Sequence, residues 1–429
     1  MQRFLNKVGL FLLWLLLFIF VITPVFKLGG MKVFALKVFP PLLSVFAFAY
    51  LKQLPRKFLV LLFALILVLS FSLIHYTIAA YKDNTFLLRV GVGILMLIGA
   101  LLIVSLFKRA YGSAFRVKLI DAIIMSTTIN AVVMCLQILY PPFLNAVSMF
   151  FEITVLLNGR TAMVERINGL TSSGGAVLSV IFAFSLILLH FRKKVAEKPG
   201  PKRWLVMVVI AMNLVGILLS GRSGMIVLAL YFSFYFLSNF SLAFLIKTLS
   251  IVLIVVISGL YVLDRYSENS NTYLLALKRS FEIVLRLRDE GALRTDSSDS
   301  LMTMFILPEG TNHLFLGDGN FGRTEGLTYV NSDVFYVRVI YGLGFLGLLV
   351  FLIPFLVLAA LVLSKKGQFQ SLLLFIVVMS LILNLKEVFY FGTAGYTQIL
   401  CLLLTAHLLS GHESSKSDKQ GLIADRMPE

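Results

Sequence analysis

The chain has 429 residues, of which 59% are hydrophobic and only 14% are charged. A soluble domain of this length cannot bury so much apolar surface, so the composition excludes an ordinary soluble enzyme and indicates a membrane protein. The net charge of +17 is explained mostly by basic residues expected at a cytoplasmic membrane face. Cys135 and Cys401 both lie in apolar stretches, which excludes a disulfide framework and a zinc site.

Apolar stretches close to the length that crosses a bilayer predict an all-α polytopic fold with about twelve transmembrane helices. The first stretch lacks a small-residue cleavage site, so we expect a retained span and no signal peptide. The predicted spans are residues 8–26, 33–51, 58–81, 86–107, 119–140, 169–191, 204–220, 224–239, 244–263, 334–363, 371–389 and 394–410. The membrane domain thus covers residues 1–410, and the polar tail 411–429 is expected to be disordered.

Basic residues recur in alternate connections between these spans, around Lys52, Lys108, Lys194 and Lys365. The positive-inside rule assigns these connections to the cytoplasm. Because the number of predicted spans is even, both termini are also expected inside. The polar segment 264–333, between the ninth and tenth spans, is then one long extracytoplasmic loop.

Several arginines on the predicted outer side run against the positive-inside rule and call for another explanation. Arg160 and Arg166 precede the sixth span, and Arg222 lies in the short hairpin 220–224, which reads S-G-R-S-G. Flanking glycine lets backbone approach a ligand closely, and a guanidinium forks onto phosphate oxygens. One such arginine is explained more simply by snorkelling to the interface, whereas three on the same side favour an anion site.

Within the long loop, residues 271–288 show the spacing of an amphipathic helix, followed by Gly291 as a stop signal. Such a helix more commonly lies on the membrane interface or caps the bundle than performs chemistry.

Two outer residues are candidates for a general base. An imidazole changes charge near neutral pH, so His313 suits that role. Asp333 ends the loop, close in sequence to Arg338 of the tenth span. The alternatives are a turn-stabilising side chain at His313 and a helix N-cap formed by Ser332 or Asp333.

Two stretches, 317–322 and 342–347, match the pattern GxGxxG literally. Neither follows a strand and opens a helix, so we reject dinucleotide binding and expect no nucleic-acid partner. The first stretch is predicted to be a tight turn, and the second a small-residue surface for helix packing.

The order of these motifs resembles a known superfamily. A basic connection is followed by the S-G-R-S-G hairpin, a further span and a long loop that closes with residues 314–322, 331–336 and 341–347. Together with R-I-N-G at 166–169, this order is similar to that of the O-antigen polymerase and O-antigen ligase superfamily. The likeness covers roughly residues 160–350. The ligases place a histidine before an asparagine at the loop exit, whereas Ser332-Asp333 here looks more like the polymerases.

The resemblance implies an enzyme of the bacterial cytoplasmic membrane that polymerises sugar repeats carried on undecaprenyl diphosphate. An acceptor sugar hydroxyl attacks the anomeric carbon and the lipid diphosphate leaves, without metal or cofactor. On this basis Asp333 is the expected base, with His313 second. The residues expected to bind the diphosphate are Arg222, Arg166, Arg160 and Arg338. The expected partners are the lipid-linked oligosaccharide, membrane lipids, and the chain-length regulator and flippase of the same pathway.

Three other functions stay open on sequence grounds. A ligase would transfer finished glycan to a lipid or protein acceptor. A lipid-linked oligosaccharide flippase or other transporter suits twelve spans, but the sequence shows no internal repeat and little charge inside the spans. A non-catalytic partner of a polysaccharide export complex would tolerate loss of Arg222, whereas an enzyme would not.

Overall fold

The structure is a computed structural model. It describes residues 2–28, 31–47, 49–50, 55–152, 155–157, 164–171, 175–195, 202–238, 250, 257, 261, 264–265, 281–291, 296–321, 330, 332–364, 369–387, 389 and 395–409. Arg160 and most of the predicted ninth span lie outside the described residues.

The described part of the chain is mainly α-helical, with two short antiparallel hairpins. The helices are α1 (Gln2–Ile22), α2 (Ala35–Ala47), α3 (Arg56–Ile78), α4 (Thr85–Tyr111), α5 (Phe115–Leu139), α6 (Pro141–Phe150), α7 (Gly175–Val195), α8 (Arg203–Ser220), α9 (Ser223–Ser238), α10 (Glu282–Glu290), α11 (Asp296–Met302), α12 (Thr311–Leu316), α13 (Phe335–Leu363), α14 (Gln370–Leu383) and α15 (Tyr396–Leu409). The strands are β1 (Val25–Leu28), β2 (Met31–Phe34), β3 (Val155–Leu157) and β4 (Val164–Ile167).

Within the described residues, five helical stretches are long and apolar enough to cross a membrane. They are residues 56–78, 85–137, 175–192, 203–220 and 335–363, the second of which runs through α4 and α5. Five further apolar helices contribute stretches of 10–17 described residues. The fold is therefore that of a helical membrane protein, while the count of twelve spans and the outer position of the long loop stay predictions.

The first two predicted spans differ from the structure at their facing ends. Helix α1 stops at Ile22, and Thr23 adopts a positive φ of 49° before the chain enters β1. Strands β1 and β2 then pair in register from Val25 opposite Phe34 to Leu28 opposite Met31. Both spans were predicted to extend into this hairpin, because the hairpin residues next to α1 and α2 are as apolar as those of a helix.

The chain divides into two compact units, each described by itself. Unit 1 comprises the described residues of 1–39, 117–304 and 393–396, and unit 2 those of 40–116, 305–392 and 397–429. In unit 1, α7 packs against both α8 and α9, and its apolar side chains are almost entirely buried. In unit 2, α13 packs against α3, α12 and α14.

In unit 2 the two GxGxxG stretches contact each other. The backbone N–H groups of Asp318 and Gly319 donate to the carbonyls of Tyr341 and Gly342, each at 3.0 Å. Helix α13 is kinked nearby at Gly344, whose φ of 69° is available to glycine at little cost. A Cβ at Gly344 would overlap the backbone at the end of α12, so the close approach of α12 to α13 requires glycine. This contact agrees with the predicted tight turn and small-residue packing surface.

Candidate anion-binding site

In unit 1, Arg222 lies in the tightest connection between two long helices of that unit. Helix α8 ends at Ser220 and α9 begins at Ser223, so Gly221 and Arg222 alone join them. The backbone N–H of Gly224 donates to Ser179 Oγ of α7 at 2.9 Å. A Cβ at Gly224 would overlap the carbonyl oxygen of Ser179. The glycine therefore allows the hairpin to lie directly on α7, and this contact fixes the backbone that carries Arg222.

The guanidinium of Arg222 holds a carboxylate. Its Nη1 donates to Oε2 of Glu282 at 2.6 Å, and the two side chains are only 13% and 18% exposed. Oε1 of Glu282 lies 3.5 Å from Nε of Arg286, one turn further along α10. Arg286 in turn lies 3.8 Å from the exposed carboxylate of Asp299. Shielding from water strengthens such a pair relative to one on the open surface. The predicted anion-binding arginine thus has an anionic oxygen in contact with it.

The R-I-N-G element enters α7 through a buried turn. Arg166 lies in β4, opposite Leu156 of β3, and β4 contacts α8. After β4, Oδ1 of Asn130 accepts a hydrogen bond from the N–H of Leu170 at 2.8 Å. Gly169 has a φ of 66°, and a Cβ there would collide with the amide of Asn130. Helix α5 therefore holds the turn that follows Arg166 and requires a glycine in it.

Polar side chains inside the predicted spans of unit 1 extend this support. Thr127 donates to Ser185 Oγ at 2.8 Å, which ties α5 to α7. Asn213 donates to Thr128 Oγ1 at 2.9 Å, which ties α8 to α5. All four side chains are buried. Sequence reasoning missed them because isolated polar residues barely change the hydropathy of an apolar span. They hold together the three helices that position the Arg222 hairpin and the turn after Arg166.

In unit 2, Asp333 and Arg338 are brought together at the start of α13. Nη2 of Arg338 donates to Oδ1 of Asp333 at 2.9 Å, and its Nε donates to the carbonyl of Ser332 at 2.6 Å. The N–H of Val334 donates to Ser332 Oγ at 3.1 Å in a turn before the helix. Val334 is the N-cap and has no side-chain cap, so the predicted N-cap by Ser332 or Asp333 is wrong. The Asp333 side chain is 41% exposed, which leaves its carboxylate accessible from solvent. Arg338, which was predicted to bind the diphosphate, pairs with Asp333 in the structure.

His313 lies in the last turn of α12 with its side chain exposed. Its backbone carbonyl accepts the N–H of Gly317 at 2.9 Å, so the backbone of His313, and not its ring, closes the turn. By contrast, Nε2 of His75 on α3 lies 2.6 Å from the carbonyl of Leu316. This contact supports α12 against α3.

Within the described residues, no group of three or more histidine, cysteine, aspartate or glutamate side chains is placed to hold a metal ion. No protein-family model matches the chain, and no curated protein matches it. Arg222 and Arg166 belong to unit 1, whereas Asp333, His313 and Arg338 belong to unit 2.

Proposed function

We propose that the protein is a membrane glycosyltransferase that polymerises the repeat units of a bacterial surface polysaccharide, such as O-antigen, capsule or exopolysaccharide. Its donor is a glycan carried on undecaprenyl diphosphate. The proposal starts from the order of motifs that resembles the O-antigen polymerases. The observation that carries it is the Arg222 guanidinium, which holds an anionic oxygen at 2.6 Å in a shielded hairpin.

The geometry of this hairpin suits a diphosphate. A carboxylate oxygen of Glu282 lies where a phosphate oxygen would accept the same hydrogen bond, and a guanidinium offers further donors in a fixed plane. Because Gly224 and Ser179 fix the backbone, the cation does not have to be reorganised during the reaction. Cations arranged in advance contribute most where charge develops in the transition state, which here is the leaving diphosphate.

The proposed reaction is a direct group transfer. The oxygen of an acceptor sugar hydroxyl attacks the anomeric carbon of the donor, and the bond from that carbon to the diphosphate oxygen breaks. The electron pair of the broken bond stays on the diphosphate, and the hydroxyl proton passes to a base. Asp333 is the proposed base and His313 the second candidate, and a positioned base accelerates such a step by about 10²–10⁴-fold. Arg222 and Arg166 stabilise the leaving diphosphate, with Arg160 as a further candidate.

In this proposal the reaction takes place on the outer face of the bacterial cytoplasmic membrane, and both termini of the chain lie in the cytoplasm. The sugar–diphosphate bond supplies the driving force, so neither a nucleotide nor a metal takes part. The flippase that delivers the lipid-linked repeat and the regulator of chain length are the proposed partners.

The test is to incubate purified protein with a lipid-diphosphate-linked repeat unit, without nucleotide or added metal, and to separate the products by size. A ladder of glycans is expected from the wild type. Arg222→Ala and Asp333→Ala should abolish it, whereas Arg288→Ala should retain it. Arg288 is a suitable control because it is an exposed arginine of α10 that pairs with Asp289.

A ladder of normal length and yield from Arg222→Ala would contradict the proposed site. If folded wild-type protein forms no ladder but moves one glycan to an added lipid or protein acceptor, the protein is a ligase. If it moves lipid-linked glycan across vesicle membranes without forming a new glycosidic bond, it is a flippase.

A further inference from the structure

The carboxylate that faces Arg222 belongs to a helix that is docked at one end. Phe281 immediately precedes α10 and is 5% exposed, so the start of the helix is anchored in unit 1. From Leu287 to Gly291 the residues are exposed. Glu282 follows Phe281 directly, and this anchor therefore keeps its side chain close to Arg222.

Glu282 is shared between two arginines. Its Oε2 accepts from Arg222 at 2.6 Å, and its Oε1 lies 3.5 Å from Nε of Arg286 on the same helix. A partly buried carboxylate that lost every cation would be strongly destabilised. Arg286 removes that penalty, because it can hold Glu282 while Arg222 binds another anion. When the contact between Arg222 and Glu282 opens, Glu282 therefore still has a cation beside it.

The reaction changes the charge of the anion that Arg222 would bind. In the donor, the terminal phosphate of the diphosphate is esterified to the sugar. When the bond to the anomeric carbon breaks, its electron pair remains on the phosphate oxygen and the hydroxyl proton goes to the base. The leaving lipid diphosphate therefore carries one more negative charge than it did in the donor. A fixed guanidinium binds this product more tightly than the substrate, so product release becomes slow unless another anion replaces it.

We propose that Glu282 is that anion: it competes with the lipid diphosphate for Arg222 and promotes release of the product. This inference rests on the proposed function, because it concerns the same arginine and the same leaving group. In the free protein Glu282 occupies Arg222. A bound diphosphate moves Glu282 to Arg286, and the return of Glu282 displaces the product.

Binding of farnesyl diphosphate to the purified full chain in detergent, measured by calorimetry, tests the competition. Glu282→Gln should bind roughly tenfold more tightly than the wild type, because a neutral amide competes weakly for a guanidinium. Arg222→Ala should bind at least about tenfold more weakly. In the Arg222→Ala background, adding Glu282→Gln should have no further effect. Glu290→Gln is the matched control on the exposed end of α10 and should bind as the wild type does.

The outcomes separate this inference from the proposed function. If Arg222→Ala weakens binding but Glu282→Gln leaves it unchanged, the anion site stands and the competition is refuted. If wild type and Arg222→Ala bind equally, the diphosphate site at Arg222 fails, and the competition fails with it. Tighter binding by Glu282→Gln that persists without Arg222 would also refute the competition. The variant Glu282→Asp retains the charge on a shorter side chain and should give an intermediate affinity, which separates lost competition from misfolding.

Kinetics give a second readout that a purely structural pair would not change. In Glu282→Gln the steady-state rate should fall further than the single-turnover rate, with inhibition by added undecaprenyl diphosphate at roughly tenfold lower concentration. Equal slowing of the single turnover and the steady state would show that Glu282 acts on structure or chemistry and not on release.

Discussion

Arg222 and Arg338 are shielded to the same degree, with 13% of each side chain exposed, yet they are held in different ways. Arg338 bonds to Asp333, five residues earlier, and to the backbone carbonyl of Ser332. Arg222 bonds to a carboxylate 60 residues later in the chain. Arg338 is thus bound to residues at the start of its own helix, whereas Arg222 is bound to a side chain of α10.

This difference assigns the two arginines different roles. Arg338 bonds to the backbone just before α13 and to Asp333, so we expect it to clamp this segment and to orient Asp333. Glu282 can leave Arg222 by a change of side-chain conformation, so that arginine can accept a ligand. Both arginines are predicted diphosphate ligands, and their contacts favour Arg222 for this role.

The largest expected effect belongs to Asp333→Asn. The amide oxygen still accepts the hydrogen bond from Arg338, so the start of α13 should be retained. An amide cannot take up the hydroxyl proton, and kcat should fall by about 10²–10⁴-fold with little change in thermal stability. The glycan ladder assay and a thermal unfolding curve measure the two quantities.

Ser332→Ala is the control for that variant, since it removes the hydroxyl that accepts the N–H of Val334. It should lower stability by about 0.5–1.5 kcal/mol, because one hydrogen bond is lost, and leave kcat close to that of the wild type. If Asp333→Asn retains full activity, Asp333 is not the base, and His313→Asn is the next variant to assay.

Replacing Arg222 should have the next largest effect. Arg222→Ala removes the cation that stabilises the leaving diphosphate, and kcat/KM should fall by about 10²–10³-fold. Arg222→Lys keeps the charge but not the planar fork, so it should recover only part of the loss. The amount of folded protein in the membrane should be unchanged in both. If Arg222→Ala and Arg338→Ala lower kcat/KM equally and neither lowers stability, the proposed distinction between the two arginines is refuted.

The close contact of the Arg222 hairpin with α7 predicts a stability effect at Gly224. Gly224→Ala places a methyl group against the Ser179 carbonyl and should cost about 2–3 kcal/mol. Gly91→Ala in α4 is the control, because a Cβ there meets nothing within 4 Å. That control should be neutral or stabilise by up to about 1 kcal/mol, since alanine favours helix. A Gly224→Ala variant as stable as Gly91→Ala would show that the hairpin is not held on α7 as the structure has it. Thermal unfolding in detergent measures both.

Local sequence patterns predicted the Arg222 hairpin correctly, but they did not predict that Arg222 pairs with Glu282. The spans predicted at 204–220 and 224–239 agree closely with α8 and α9, because two apolar runs end abruptly at S-G-R-S-G. Glu282 lies within the predicted amphipathic helix 271–288, and the sequence pattern indicated no particular partner for it. A pair between residues 60 positions apart depends on how the chain returns in space, and no periodicity encodes that.

The same reasoning explains the errors at the edges of the helices. The short helix α6 was not predicted, because ten residues beginning with Pro141 are too few to stand out beside a long apolar span. The helix end at Gly291 was predicted, since a glycine after an amphipathic run is a typical stop signal, and Gly291 closes α10 with a φ of 66°. The hydrogen bond by which Asn130 holds the R-I-N-G turn was not predicted, because it also joins distant parts of the chain.

The smallest expected effect is that of Arg338→Ala, which tests whether Arg338 holds the start of α13 or binds the diphosphate. Arg338→Ala leaves the Ser332 carbonyl and the Asp333 carboxylate without these hydrogen bonds and should lower stability by about 1–2 kcal/mol. Activity should fall only as far as Asp333 loses its orientation, and the affinity for farnesyl diphosphate should stay at the wild-type value. Arg338→Lys can replace one of the two hydrogen bonds and should restore about half of the stability. Weaker binding of farnesyl diphosphate by Arg338→Ala would instead make Arg338 a diphosphate ligand, because a residue that only holds the start of α13 has no reason to change that affinity.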